Sequence, residues 1–120
     1  MATFTLKSIL LSAVLVLLLD IPWLWATSSW AGSMLRDIQG SALKLRVPPS
    51  LVVYLALGII IQFPRSALEA GVLGSSIYAV YDFTNYATLT KYRPAFAVAD
   101  SIWGGILMAV AWAIKNHFKL

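Results

Sequence analysis

The sequence predicts an all-α protein: a four-helix transmembrane bundle of two antiparallel hairpins, with residues 1–120 as a single integral membrane domain. Three observations predict it. Of 120 residues, 60% are hydrophobic and only 12% are charged, too few charges to cover a water-soluble domain. The apolar residues fall into runs separated by short polar or proline-bearing breaks. A hydrocarbon core about 30 Å thick takes roughly 20 helical residues per crossing, so the chain has length for about four spans and little else.

The first span is expected from Phe4 to Trp30. Lys7 followed by the apolar run Ile9 to Leu19 imitates a secretory signal, but Asp20 interrupts the run and no small-x-small cleavage site follows, so the segment reads as uncleaved. Pro22 is expected to bend this helix and free a carbonyl one turn earlier. Ala31 to Arg46 then reads as the only sizeable exposed loop. The second span, Val47 to Phe63, is short, and Pro48 and Pro49 suit its first turn, where a missing N–H costs nothing. Pro64 and Pro94 mark the next two boundaries, with spans expected from Ala67 to Leu89 and from Ala95 to Ile114. The short second and third loops force neighbouring helices to run antiparallel.

Lys7, Arg65, Lys115 and Lys119 fall on one side, and Arg36, Lys44, Arg46, Lys91 and Arg93 on the other. Four against five sets no orientation. The net charge of +4 is divided among loops by apolar spans, so the lipid bilayer and its anionic headgroups are the expected partners and nucleic acid is not.

Several chemistries are excluded. The chain has no Cys, and its one His, His117, lies near the end, which removes disulfides, thiolate metal sites and cysteine nucleophiles. No metal and no cofactor are expected. No Lys lies deep in a span to form a retinal-type Schiff base. Neither a hydrolytic triad nor a phosphate-cradling glycine loop is present.

Small residues recur every fourth position in the third span (Ala67, Gly71, Ser75, Ala79) and in the fourth (Ala97, Ser101, Gly105, Ala109, Ala113). Such stripes let helix backbones approach closely in lipid. They predict packing of these two helices on each other, with a homodimer seam as the alternative use.

Three of the five acidic residues, Asp20, Asp82 and Asp100, fall within spans, at roughly 2.5 to 3.5 kcal/mol each near a bilayer centre before any partner compensates. Gly74, Tyr78, Asp82 and Tyr86 make one i,i+4 row, with Asn85 one turn beyond Asp82 on nearly the same face. With the hairpin turn centred near Tyr92 and Arg93, equal depth places Asn85 beside Asp100 and Asp82 beside Trp103. The first helix ends on the same side, which brings Asp20 and Trp23 to a similar level. The expected site is therefore Asp20, Trp23, Tyr78, Asp82, Asn85, Asp100 and Trp103, an acidic floor in one half of the bilayer. Arg36, Lys44, Arg46, Lys91 and Arg93 would form a headgroup-binding rim above a cavity open to one side. Close spacing would make the carboxyls titrate as a coupled set able to hold or exchange a proton. Ser8 and Ser12 extend a polar path only thinly into the other half, so no continuous pore is expected.

Asp20 with Trp23, the block Tyr81-Asp82-Phe83-Thr84-Asn85-Tyr86-Ala87-Thr88-Leu89, and Asp100-Ser101-Ile102-Trp103-Gly104 together resemble the domain-of-unknown-function family 2177, over nearly the whole chain. Members look like small four-span membrane proteins of bacteria and some large DNA viruses. The family's motif positions fall on the polar site, but the resemblance supplies no function. The chain departs from the pattern at Pro22, where an aliphatic residue is expected, and in its basic turn Lys91 to Arg93.

The leading functional expectation is a proton-linked permease or ion-conducting protein in which Asp82 and Asp100 bind a small cation or exchange protons. Asn85 and Tyr78 would orient them, Asp20 would gate or couple, and a homodimer would enclose the path. The alternatives are a protein that binds or modifies lipids or other amphiphiles, using two carboxyls as acid and base beneath the basic rim, and a non-catalytic accessory subunit whose polar cluster only fixes helix packing. No catalytic residue is assigned.

Overall fold

The computed structural model describes residues 4–120. They form four helices in the order α1 (Leu6–Gln39), α2 (Val47–Ile60), α3 (Ala67–Thr88) and α4 (Pro94–His117). There is no strand among the described residues.

Local chemistry sets the boundaries. Thr5 caps α1 by accepting the Ser8 N–H at 3.1 Å, and α1 ends where Gly40 takes a left-handed φ of 77° and donates its N–H to the Arg36 carbonyl, a conformation that suits glycine because it lacks a Cβ. Pro48 and Pro94 lie in the first turns of α2 and α4. Ser66 caps α3 by accepting the Glu69 N–H at 3.0 Å, while the Glu69 carboxylate accepts the Arg65 N–H at 2.8 Å, a pairing related to the capping box.

The interval Ala31 to Arg46, expected as a loop, is largely helix: α1 continues unbroken through Pro22 and on to Gln39. Its polar residues hid an apolar face. Trp30, Ala31, Met34, Leu35 and Ile38 recur at helical spacing and pack with Leu89, Tyr92, Phe96 and Ala97 over the turn between α3 and α4. At 34 residues, α1 has well over the roughly 20 residues that a hydrocarbon core of about 30 Å requires.

α1 packs against α2, α3 against α4, and α1 against α4, with no close helix-to-helix approach between α2 and α3. Laterally the order is α2, α1, α4, α3. Contacts along α1 and α2 run in opposite directions, from Ser8 with Gln62 to Asp20 with Tyr54. The seam is tight at Gly58, where an added Cβ would lie 2.7 Å from the Ile9 carbonyl oxygen and 2.9 Å from the Ala13 nitrogen. Both are backbone atoms, so α2 would have to move. Gly58→Ala is therefore expected to destabilise the protein by about 1 to 3 kcal/mol, read as an earlier unfolding midpoint in a detergent titration.

The small-residue stripes are used within the chain. A Cβ on Gly71 would meet the Gly105 carbonyl oxygen at 3.5 Å and Ala109 at 3.6 Å, one on Gly105 would meet Ser75 at 3.2 Å, and Gly74 lies on Gly104 and Met108. The α3/α4 register differs from expectation. Asp82 comes beside Asp100, not Trp103, because the turn is centred earlier: the Leu89 N–H bonds the Asn85 carbonyl, the Tyr92 N–H bonds the Leu89 carbonyl, and Pro94 already begins α4.

The molecule is apolar outside and buries a set of polar side chains among its apolar core residues. Val14, Leu18, Val52, Val72, Val80 and Ile102 are each more than half exposed, whereas Ser8, Ser12, Asp20, Gln62, Asp82 and Asp100 are buried. Such a surface is unfavourable in water and suits lipid. α1 and α4 are long and apolar enough to cross a membrane; α2 is apolar but has only 14 residues, and α3, with 22, is less apolar. Two helices, not four, meet the requirement for a span outright.

Candidate functional site

The buried residues of α1 form one seam: Ser8, Ser12, Val16, Asp20, Thr27 and Met34. The first four are spaced by four, so they stack on one face. Asp20, near the middle, is 4% exposed and accepts two hydrogen bonds, from Trp103 Nε1 to Oδ1 at 2.8 Å and from Tyr54 Oη to Oδ2 at 2.6 Å. Both oxygens are thus satisfied, and one carboxyl joins α1, α2 and α4.

Asp100 Oδ1 accepts from Trp23 Nε1 at 3.0 Å, and the indoles of Trp23 and Trp103 stack with centroids 5.3 Å apart and planes 7° from parallel. The sequence contains Asp-x-x-Trp twice, at Asp20 to Trp23 and at Asp100 to Trp103. Because α1 and α4 cross in opposite directions, each motif's Trp reaches the other's Asp. The exchange places the two acids about one helical turn apart in depth.

Asp82 is 0% exposed. Its Oδ1 accepts from Tyr92 Oη at 2.6 Å, while Oδ2 is buried with no hydrogen-bond partner among the described residues. The Asp100 carboxyl lies beside it. None of Asp20, Asp82 and Asp100 makes an ion pair among the described residues. Tyr92, in the turn, stays a donor: burial, and then the Asp82 carboxyl it faces, push its phenol above the ordinary range.

The remaining expected residues divide. Tyr78 packs its ring over Gly104 and is surrounded by Asp20, Asp100, Tyr54 and Asp82. Asn85 is half-buried beside Tyr81 and Tyr92, not beside Asp100. The basic rim is incomplete. Arg93 pairs with Asp37 at 3.5 Å, and Lys91 donates to the Asp37 carbonyl at 3.3 Å, which fastens the end of α1 to the turn below. Arg36, Lys44 and Arg46 are exposed. The expected one-sided opening is closed by the helical extension of α1: Met34 and Tyr92 are 0% and 2% exposed, and Trp30 packs edge-on to Phe96 at 5.2 Å.

A second polar knot lies toward the other end of the seam. Ser8 Oγ donates to Gln62 Oε1 at 3.1 Å, and Gln62 Nε2 donates to Ser12 Oγ at 3.1 Å and to the Gly58 carbonyl at 2.9 Å. Between the two polar regions lies an apolar layer that includes Val16, Leu57, Leu107 and Met108.

Sequence reading missed Tyr54, Gln62 and Tyr92. Tyr54, Gly58 and Gln62 share an i,i+4 row in an apolar run, a signal that could have found the first two. Tyr92 lies in a turn, where no periodicity applies.

Removal of Asp20 separates structural from surface charge. Asp20→Ala leaves the Trp103 and Tyr54 donors buried without their acceptor and is expected to lower stability by about 1 to 3 kcal/mol. Asp37→Ala breaks only the exposed pair with Arg93 and is expected to cost under about 1 kcal/mol. Parallel unfolding titrations of the two variants check the contrast.

Apolar flanks, and buried acids held by indole and phenol donors, define a helical membrane protein with a buried carboxyl cluster. The chain belongs to the family described as Predicted membrane protein (DUF2177), which matches residues 5–115. No curated protein and no solved structure matches it.

Proposed function

We propose that the protein is a four-span proton-linked membrane carrier and that the Asp82–Asp100 pair is its proton-exchange site. The observation that carries this reading is the buried Asp82 Oδ2, which has no donor although the Asp100 carboxyl lies beside it. Two carboxylates placed together away from water and without a cation cannot both ionise at acceptable cost. One proton shared between them supplies the missing donor and removes one of the two charges. Tyr92 and Trp23 hold the outer oxygens of the pair. Asp20, already satisfied on both oxygens, positions the helices around it.

Four crossings follow if α2 and α3 accompany α1 and α4 through the bilayer. The Asp20–Tyr54 bond supports this for α2, and the close α3/α4 register supports it for α3. The 14-residue α2 is about 21 Å long, and such a short crossing is met by local thinning of the bilayer.

The test is proton uptake by liposomes carrying the purified protein and an internal pH-sensitive dye, under an imposed pH gradient with sodium and potassium varied separately. Uptake that exceeds protein-free vesicles and is lost in Asp82→Asn is the expected result. Absence of uptake over a wide pH range, in correctly folded protein, would reject the carrier.

A further inference from the structure

A groove of about 270 Å³ opens near the ends of α1 and α4, and its lining includes Ser8, Lys115, Asn116 and Lys119. Ser8 therefore belongs both to the groove and to the buried knot in which Gln62 links it to Ser12. From the groove, polar side chains continue inward along one helical face to Ser12. The next residue on that face is Val16, fully buried, and the next is Asp20. Ser12 and Asp20 are eight residues apart, about 12 Å along the helix, several times a hydrogen-bond length of about 3 Å. The facing segment has the same pattern: Gln62 just beyond the end of α2, Tyr54 further along it, and Leu57 and side-chain-free Gly58 between.

We propose that this groove is an aqueous access route toward the carboxyl site, from the face opposite the closed Tyr92 turn, and that it ends at a hydrophobic barrier formed by Val16 with Leu57. Water is the occupant. The hydroxyls of Ser8 and Ser12 and the amide of Gln62 each combine donor and acceptor capacity, so they bond to one another when dry and to water when the crevice fills. Lys115 and Lys119 at the mouth keep it hydrated. Val16 offers no partner to water, and its apolar neighbours Leu57, Leu107 and Met108 complete the seal. The route rests on the proton-exchange reading for its purpose, but its existence is measurable without transport.

The chain has no cysteine, so single thiols can be introduced without background. Ser8→Cys, Ser12→Cys, Val14→Cys and Val16→Cys are placed in lipid nanodiscs and treated with a small charged methanethiosulfonate, which reacts only where water allows the thiolate to form. Ser8→Cys and Ser12→Cys are expected to react at least about tenfold faster than lipid-facing Val14→Cys and buried Val16→Cys. A Ser12→Cys as silent as Val16→Cys overturns the access route, and a Val16→Cys as reactive as Ser12→Cys overturns the barrier. The carboxyl infrared band of Asp82 and Asp100, recorded on the same samples, reports the proton site separately. Loss of labelling with that band intact removes this inference alone, whereas labelling without the band removes the proton-exchange reading and leaves a water-filled crevice.

Discussion

Asp82→Asn is expected to abolish a protonated-carboxyl infrared band that the wild-type protein shows at neutral pH, and to reduce proton uptake to the level of protein-free liposomes. The substitution is nearly isosteric. Its amide oxygen can still accept from Tyr92, and its NH₂ can donate to the Asp100 carboxylate, filling the vacancy that Oδ2 leaves. The fold should therefore persist while the exchangeable proton is lost. Asp100→Asn is expected to do the same from the other side, with its oxygen accepting from Trp23. On the proposal that the pair shares one proton, the double substitution should add no further loss. Asp20→Asn is the internal control: with both oxygens already bonded to Trp103 and Tyr54, Asp20 is not the source of the band, which should survive. A band that disappears with Asp20→Asn and persists in Asp82→Asn would move the proton to the wrong acid and overturn the assignment.

Gly104→Val is expected to be among the most damaging single substitutions in the helix interfaces. A Cβ there would overlap the ring of Tyr78, with Cδ1 at 2.5 Å and Cβ at 2.7 Å. The Tyr78 ring packs against the core that includes Met108, so shifting it away from the added Cβ disturbs that packing. Overpacking of this kind costs about 1 to 3 kcal/mol where the neighbour can shift, and more where it cannot. The effect should reach the site, because moving α4 away from α3 separates Asp100 from Asp82 and displaces Trp103 from Asp20. Loss of stability should therefore be accompanied by a change in tryptophan emission as the Trp23–Trp103 stack opens. If Gly104→Val unfolds at the wild-type midpoint with unchanged emission, the close α3/α4 seam is wrong.

How much was legible in the sequence varies with the kind of interaction. Helix boundaries at Pro48, Pro64 and Pro94 were readable because proline acts on its own backbone, independent of context. The small-residue stripes were readable because helical spacing puts every fourth residue on one face. The acids were conspicuous because charge in an apolar run demands a partner. What those partners would be was another matter. Trp103 bonds Asp20, and Trp23 bonds Asp100, an exchange that needs the crossing of α1 over α4 and is invisible in either Asp-x-x-Trp motif alone. The extension of α1 was missed because Ser33, Arg36, Asp37 and Gln39 resemble a loop until the face bearing Met34 and Ile38 is given something to cover.

By itself the sequence determined that this chain is helical, suited to lipid, and burdened with three acids in apolar runs, because hydropathy, helical periodicity and proline act over a few residues at a time. Only the tertiary structure decided which acids lie side by side. A small shift in the Leu89–Tyr92 turn sets the register of α3 on α4, and that register brings Asp82 to Asp100 while leaving Asn85 beside Tyr92. It also decided that the acids are closed off from the basic rim, since the cover comes from α1, more than fifty positions away along the chain from Tyr92. Contacts between residues so far apart depend on how the helices cross, and no local pattern in the chain encodes that angle.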